Sequence, residues 1–234
     1  MEIFSPVAFV HSLLRAPLNG DNYNTPVRFS LRDPRAFLAI IYLIHYSNRA
    51  LISPLRTPSR SKMHAIVALA AVFFNVINGT LLGSYLSSPA CESYLISGLT
   101  NAYARPRFWL GIGVWAMGFI GNIIHDEVLL NLRRNAKRAD DGKEHYSIPY
   151  GYLYKYISYP NYLCEWIEWA GYALAAAPLP ALSLAGLSSA APPWLFVFNE
   201  IFLMAPRAYK GHMWYHSKFP NYPKERSAVI PFIL

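Results

Sequence analysis

The chain has 234 residues, of which 54% are hydrophobic, 15% aromatic and 15% charged, whereas about 25% of residues are charged in a soluble domain. The formal net charge of +8 does not indicate nucleic acid binding, because the basic residues lie in short segments between apolar runs, as in membrane proteins. Two cysteines, Cys91 and Cys164, exclude a disulfide framework, and the length favours a single domain over residues 1–234.

Long runs without Asp, Glu, Lys or Arg indicate membrane helices, and they cover residues 63–91, 108–125 and 169–199. A helix needs about 20 mostly apolar residues to cross the hydrocarbon core of a bilayer. The predicted fold is an all-α, multi-pass membrane helical bundle with about six transmembrane or membrane-embedded helices. In chain order, the predicted helices cover residues 2–14, 36–53, 64–87, 108–132, 161–179 and 188–205.

The loops between these helices predict the orientation of the chain. Residues 54–62, 133–160 and 206–234 would share one side of the membrane, and they hold 14 of the 21 Lys and Arg residues. Basic loops of membrane proteins are enriched on the cytosolic side. We therefore predict that these three segments face the cytosol.

Three of the predicted helices carry polar residues three, four or seven positions apart, which places each set on one helix face. These sets are His45 with Tyr46 and Arg49, Asn122 with Asp126 and Arg133, and Asn161 with Glu165 and Glu168. Ionisable residues inside a membrane usually face the protein interior and mark a functional site. Guanidinium, amide and carboxylate groups together suit a large ligand that carries phosphates and an amide.

Three other patterns have simpler interpretations. Gly111, Gly113 and Gly118 weakly resemble a dinucleotide-binding loop, but no strand precedes them, so small-residue helix packing is favoured. Residues 78–80 match a glycosylation acceptor but lie in the middle of a predicted span. The seven histidines are scattered and form no zinc-binding pattern, so we predict no metal site.

Five segments together resemble the steroid 5α-reductase family, the 3-oxo-5α-steroid 4-dehydrogenases. Residues 45–49 resemble its H-Y-x-x-R motif, and residues 122–133 are similar to its N-I-x-x-D…L-R helix. Residues 146–151 resemble Y-x-I-P-x-G, residues 161–174 match N-x-x-x-E-x-x-E-W-x-G-Y-A-L, and residues 207–232 match the family's ending. These segments occur in the family's order.

The resemblance implies a membrane bundle, of seven helices in the family, that encloses NADPH and a steroid in the endoplasmic reticulum membrane. Tyr46 and Glu2 match the residues that hydrogen-bond the ketone oxygen of the substrate. The resemblance also implies phosphate contacts from Arg49 and Arg60. The other positions that match cofactor-binding positions of the family are Asn122, Asp126, Arg133, Tyr146, Asn161, Glu165, Arg207, His212 and Tyr215.

The reaction implied by the resemblance adds hydride to the β-carbon of an enone, so negative charge grows on the carbonyl oxygen. A buried phenol, Tyr46, and a protonated carboxylic acid, Glu2, would stabilise this enolate. An apolar pocket would keep Glu2 protonated, because burial disfavours the anion. The α-carbon then takes a proton, for which water is a source.

Departures from the family pattern leave other functions open. The family's first helix has no counterpart, and Ser53 and Ser147 stand where the family often has a tyrosine and a basic residue. A polyprenol or long-chain enoyl-CoA reductase would use related chemistry, and an inactive sterol-binding relative would keep the fold without turnover. A lipid methyltransferase is disfavoured, because residues 207–222 contain no acidic residue.

Overall fold

The structure is a computed structural model that describes residues 1–15, 30, 32–57, 64–97, 100–138, 146–181, 183 and 191–233. These residues contain eight α-helices. They are α1 (Phe4–Arg15), α2 (Pro34–Ser47), α3 (Ser53–Arg56), α4 (Ala65–Leu86), α5 (Pro89–Leu95), α6 (Pro106–Arg138), α7 (Pro160–Ala176) and α8 (Pro192–Lys218).

The beginnings of most helices follow from local sequence. Helices α2, α5, α6, α7 and α8 each begin with proline, whose fixed φ suits the first helical position and whose missing N–H would have no helical partner there. The side chain of Asp33 caps α2 by accepting the Arg35 N–H, and Ser88 caps α5 by accepting the Cys91 N–H. Such caps satisfy N–H groups that the helix leaves unpaired.

Three helical segments of the described chain have the length and composition to cross a membrane. They are Pro34–Arg56, Ala65–Leu86 and Pro106–Asn135. The first consists of α2, a π-helical turn over Asn48–Ile52, and α3. The fold is therefore an all-α membrane helical bundle, which confirms the predicted fold class.

Two parts of the secondary structure differ from the sequence prediction. Helix α8 does not end at residue 205, as predicted, but continues through Pro206 to Lys218. The predicted loop 88–107 contains α5, and then an antiparallel pair of two-residue strands, β1 (Ile96–Ser97) and β2 (Thr100–Asn101). Short 3₁₀ turns occupy Ala102–Ala104 and Tyr152–Lys155.

The chain divides into two compact units. The first contains residues 1–55, 61–112 and 172–196, and the second contains residues 56–60, 113–171 and 197–234. Helices α6, α7 and α8 contribute residues to both units. The single domain over residues 1–234 stays a prediction.

In the first unit, α1 packs closely against α4 at a pair of glycines. A Cβ atom at Gly79 would lie 2.1 Å from the Ser5 carbonyl oxygen, and one at Gly83 would lie 2.4 Å from the Phe9 carbonyl oxygen. Glycines four residues apart allow helix backbones to approach in this way. The ring of Phe9 also stacks on Tyr42, with ring centroids 3.9 Å apart. This packing fixes α1, and with it Ser5, against α4.

In the second unit, α6 and α7 approach through another glycine. A Cβ atom at Gly118 would lie 2.3 Å from the backbone nitrogen of Glu168 and 2.6 Å from the Cys164 carbonyl oxygen. The predicted interpretation of Gly118 as a helix-packing residue therefore agrees with the geometry. An apolar core with Trp166 and Val229 joins α7 to the C-terminal segment.

Candidate active site

In the first unit, Tyr46 belongs to a buried chain of polar side chains. Tyr46 lies near the end of α2 and is 5% exposed. The Asn78 amide donates from Nδ2 to the Tyr46 hydroxyl oxygen at 2.9 Å and to the Ser5 Oγ at 3.4 Å. The Ser5 Oγ lies 2.7 Å from the Tyr42 hydroxyl. Residues of α1, α2 and α4 therefore hold the Tyr46 phenol in one position.

Glu2 and Arg49 form an ion pair with each other. The Arg49 Nε lies 3.1 Å from the Glu2 Oε2, and the two side chains are 29% and 39% exposed. Arg49 lies in the π-helical turn after α2. In the described part of the chain, Glu2 is thus paired with a cation and partly exposed, whereas the resemblance implied a protonated acid in an apolar pocket.

In the second unit, four of the predicted cofactor-binding residues meet in one network between α6 and α7. The Asn122 Nδ2 donates to the Asn161 carbonyl oxygen at 3.1 Å and to the Glu165 Oε2 at 3.3 Å. The Asn161 Nδ2 donates to the Asp126 Oδ1 at 3.0 Å. Asn122, Asn161 and Glu165 are buried, and Asp126 is partly buried. The network thus joins residues from the polar faces that the helical spacings predicted, whereas Arg133, predicted on the same face of α6, is exposed.

Asn161 also offers an unused hydrogen-bond acceptor. Its Oδ1 is buried and has no hydrogen-bond partner in the described part of the chain. A buried polar atom without a partner costs about 1–3 kcal/mol, and such atoms are few in native proteins. An N–H or O–H group of a ligand would satisfy this atom.

Two of the predicted cofactor-binding residues are exposed arginines that have no carboxylate partner among the described residues. Arg133 lies on α6 and Arg207 on α8. The neighbouring Arg134 differs, because its Nη1 lies 3.2 Å from the Glu127 Oε1. Arg133 and Arg207 can therefore bind an anion without first breaking an ion pair with another residue. Arg60, for which the resemblance implies a phosphate contact, lies outside the described residues.

The predicted tyrosines lie among aromatic side chains at the C-terminal end of α8. Tyr215 stacks on Tyr222, with ring centroids 5.2 Å apart and an angle of 16° between the ring planes. Burial raises the pKa of Tyr215 above its ordinary value, Tyr222 raises it further, and the positive charge of Arg133 acts in the opposite direction. The exposed Tyr146 meets Trp214 edge to face at 5.2 Å. These rings offer flat surfaces to a ligand.

His212 is the last of the predicted residues, and it is held by a hydrogen-bonded chain. Its Nδ1 lies 2.6 Å from the Ser158 Oγ, which lies 2.7 Å from the Tyr222 hydroxyl. Burial lowers the pKa of His212, and the nearby His216 lowers it further. Neutral His212 is therefore favoured at physiological pH.

Comparison with known proteins decides the family. A family model described as 3-oxo-5-alpha-steroid 4-dehydrogenase matches residues 61–234. The chain belongs to this family. The match confirms the predicted family. Individual curated proteins also match most of the chain.

Three relatives illustrate the match. An uncharacterized protein of Schizosaccharomyces pombe is 40% identical over all of this chain and 82% of its own length. The 3-oxo-5-alpha-steroid 4-dehydrogenase 1 of Bos taurus is 36% identical over 87% of this chain and 70% of its own length. Steroid 5-alpha-reductase DET2 of Solanum lycopersicum is 36% identical over 92% of this chain and 72% of its own length.

Within this family member, sequence reasoning missed several polar residues that support the predicted ones. His125 is one: its Nε2 accepts the Leu153 N–H at 3.2 Å, and its Nδ1 lies 2.6 Å from the Gly121 carbonyl oxygen. His125 thereby fixes the 3₁₀ turn over Tyr152–Lys155 to α6. Asn78 is another. The sequence offered one indication of it, a polar amide inside the uncharged run 63–91. The structure shows that Asn78 is buried in α4, at 4% exposure.

Among the residues that the structure describes, no group of three His, Cys, Asp or Glu side chains is arranged to hold a metal ion.

Proposed function

We propose that this protein reduces the C4=C5 double bond of a 3-oxo-4-ene steroid or sterol-like lipid with hydride from NADPH, in the endoplasmic reticulum membrane. The network of Asn122, Asp126, Asn161 and Glu165 carries this proposal together with family membership. Polar side chains that meet between two membrane helices are expensive to bury, and they usually mark a binding site.

The described residues of the second unit fit NADPH in their chemistry. Arg133 and Arg207 would hold its phosphates, since arginine forms paired, charge-assisted hydrogen bonds with phosphate oxygens. The unpartnered Asn161 Oδ1 would accept a hydrogen bond from an amide or a hydroxyl group of the cofactor. Asp126 and Glu165 would accept hydrogen bonds from further hydroxyl or amide groups of the cofactor, and Tyr146 and Tyr215 would supply aromatic contact.

When bound, NADPH supplies the hydride that adds to the β-carbon of the enone. Tyr46 would donate its hydroxyl proton in a hydrogen bond to the ketone oxygen, where negative charge develops as the enolate forms. The Asn78 amide can only donate through Nδ2, so it would orient the Tyr46 hydroxyl with its oxygen toward Asn78. The enolate then takes a proton from water at the α-carbon, which leaves the saturated ketone and NADP⁺.

Glu2 is the proposed second donor to the ketone oxygen. It can donate only when protonated, and in the structure it is paired with Arg49. Substrate binding would therefore have to separate Glu2 from Arg49. The phosphate contact that the resemblance implies for Arg49 would likewise require this ion pair to open.

The direct test is incubation of membranes that contain the protein with NADPH and a 3-oxo-4-ene steroid, followed by mass analysis. We expect a product that has gained two hydrogen atoms, and deuteride-labelled NADPH should place one deuterium at the β-carbon. Parallel assays with a long-chain enoyl-CoA and with a polyprenol distinguish a steroid reductase from the two alternative reductases. Selective reduction of either one would overturn the steroid assignment.

Replacing Arg133 by glutamine should weaken NADPH binding by about 10- to 100-fold, because a hydrogen bond to a charged group contributes about 1.5–3 kcal/mol. Arg134 is the matched control, since it is adjacent in sequence but paired with Glu127. Exchange of Arg134 for glutamine should change the Kd by less than about twofold, because partly exposed ion pairs contribute little. Titration by quenching of tryptophan fluorescence measures both. An equal loss of NADPH affinity in the two variants would show that Arg133 makes no specific contact with a phosphate.

A further inference from the structure

A hydrogen-bonded chain in the second unit ends at His212 and begins at a buried cation. The Arg226 Nη1 lies 3.5 Å from the Tyr222 hydroxyl, whose oxygen lies 2.7 Å from the Ser158 Oγ, and this Oγ lies 2.6 Å from the His212 Nδ1. Arg226, Tyr222 and Ser158 are all at most 4% exposed. The chain therefore runs through the protein interior and reaches the partly exposed His212.

Backbone pairing holds this chain in place. The Ser158 N–H donates to the Ser227 carbonyl oxygen at 2.9 Å, and the Ser227 N–H donates to the Tyr156 carbonyl oxygen at 3.0 Å. The guanidinium of Arg226 lies over the rings of Tyr150 and Tyr222, 5.1 and 5.0 Å from their centroids. Ser158 and Arg226 are thus carried by two paired segments.

The buried cation sets the direction of the hydrogen bonds. An arginine can only donate, so the Tyr222 oxygen accepts from Arg226 and the Tyr222 proton must go elsewhere. Buried hydroxyl protons nearly always have an acceptor, and Ser158 Oγ is the acceptor that the described residues offer. Tyr222 therefore donates to Ser158, and Ser158 donates to the His212 Nδ1.

The opposite direction leaves one proton without an acceptor. If the His212 Nδ1 carried the proton and donated to Ser158, then Ser158 would either donate to the Tyr222 oxygen or accept from Tyr222 as well. In the first case the proton of Tyr222, and in the second case that of Ser158, would be buried with no acceptor in the described part of the chain. Because such a proton costs about 1–3 kcal/mol, this arrangement is disfavoured.

We propose that Ser158, Tyr222 and Arg226 position His212 as the neutral tautomer with its proton on Nε2, so that it presents one N–H donor to an acceptor oxygen of NADPH. The role of the cofactor rests on the function proposed above, whereas the tautomer rests on the hydrogen bonds alone. The Nε2 atom has no hydrogen-bond partner among the described residues. It is therefore available to a ligand, while Nδ1 is already used by Ser158.

The tautomer can be measured without NADPH, by nitrogen NMR of the detergent-solubilised protein with ¹⁵N-labelled histidine. His212→Gln identifies the His212 signals by their loss. We expect the wild-type spectrum at neutral pH to show a protonated Nε2 and an unprotonated, hydrogen-bonded Nδ1. In Ser158→Ala the Nδ1 signal should move to the position of a nitrogen without a hydrogen bond, and Ser158→Thr should restore it.

Tyr222→Phe tests the direction specifically, because it removes the proton that makes Ser158 donate to His212. We expect a mixture of the two tautomers in this variant. The control is Ser217→Ala, since the Ser217 hydroxyl donates to the Trp214 carbonyl oxygen on the same helix at 2.9 Å and belongs to no chain that reaches His212. A wild-type His212 with its proton on Nδ1, or a Nδ1 signal unchanged in Ser158→Ala, would overturn the proposal.

Binding of NADPH provides the second readout. Ser158→Ala should raise the Kd for NADPH by about 5-fold, since one neutral hydrogen bond contributes about 0.5–1.5 kcal/mol, whereas Ser158→Thr and Ser217→Ala should not. If the tautomer is as expected but the wild-type protein binds no NADPH, the proposed function fails and His212 loses its role toward the cofactor. The NMR result still decides the positioning by Ser158 and Tyr222.

Discussion

Replacing Tyr46 by phenylalanine should lower kcat for a steroid enone by on the order of 100-fold, as the removal of one donor to a developing oxyanion does in other enzymes. The Tyr46 hydroxyl is the buried acceptor of the Asn78 amide, and the proposed function assigns its proton to the ketone oxygen. NADPH affinity should stay the same, because the proposed cofactor contacts come from other residues. Steady-state kinetics and a binding titration on the same preparation measure both.

Tyr85 provides the control for this experiment. It is also a buried tyrosine of the first unit, and its hydroxyl donates to the Ala176 carbonyl oxygen at 3.0 Å. Tyr85→Phe loses one hydrogen bond to the backbone, worth about 1 kcal/mol of stability, and should retain turnover. If Tyr46→Phe keeps full turnover, or if both variants lose it equally, then Tyr46 has no catalytic role.

Much of the helical framework could be predicted because membrane helices leave a strong signal in the sequence. The uncharged run that became α4 was predicted over 64–87, and the helix occupies Ala65–Leu86. Helix α5 and the strand pair after it were missed, because elements of two to seven residues lack a clear periodicity. The predicted end of α8 at residue 205 was wrong, because the helix continues through Pro206 to Lys218.

The polar faces of α6 and α7 could be predicted from spacing within each helix, but their partners could not. Helical periodicity places Asn122 and Asp126 on one face, and it does not say that Asn161 lies opposite them. The Ser158–His212 and Ser158–Tyr222 contacts join residues 54 and 64 positions apart. No local pattern links such residues, since their pairing follows from how the C-terminal segment packs.

The ion pair of Glu2 with Arg49 shows a second limit of sequence reasoning. The resemblance assigned one residue to the substrate and the other to the cofactor, whereas the structure joins them at 3.1 Å. A charge inside a membrane segment usually pairs with another charge or a polar group, and that rule does not identify the partner. A family resemblance assigns a role to each residue separately, whereas in the structure these two residues neutralise each other's charge.

Replacing Gly118 by alanine should destabilise the protein by about 1–3 kcal/mol, the cost of overpacking a tight contact. The new Cβ would lie 2.3 Å from the Glu168 backbone nitrogen and 2.6 Å from the Cys164 carbonyl oxygen. Both are backbone atoms of α7, so no side-chain rotation can relieve the contact and the helices must separate. Thermal unfolding in detergent, followed by tryptophan fluorescence, should show a melting temperature lower by several degrees, at about 2–4 °C per kcal/mol.

Gly113 is the matched control on the same helix, because a Cβ there would meet no atom within 4 Å. Gly113→Ala should leave the protein unchanged or stabilise it by up to about 1 kcal/mol, since alanine is the better helix former. Gly118 lies one turn before Asn122, so the separation of α6 from α7 should also stretch the 3.1 Å hydrogen bond to the Asn161 carbonyl oxygen. Gly118→Ala should therefore weaken NADPH binding even in the fraction that stays folded. Equal stability and equal Kd in the two variants would show that the close approach of α6 and α7 does not support the polar network.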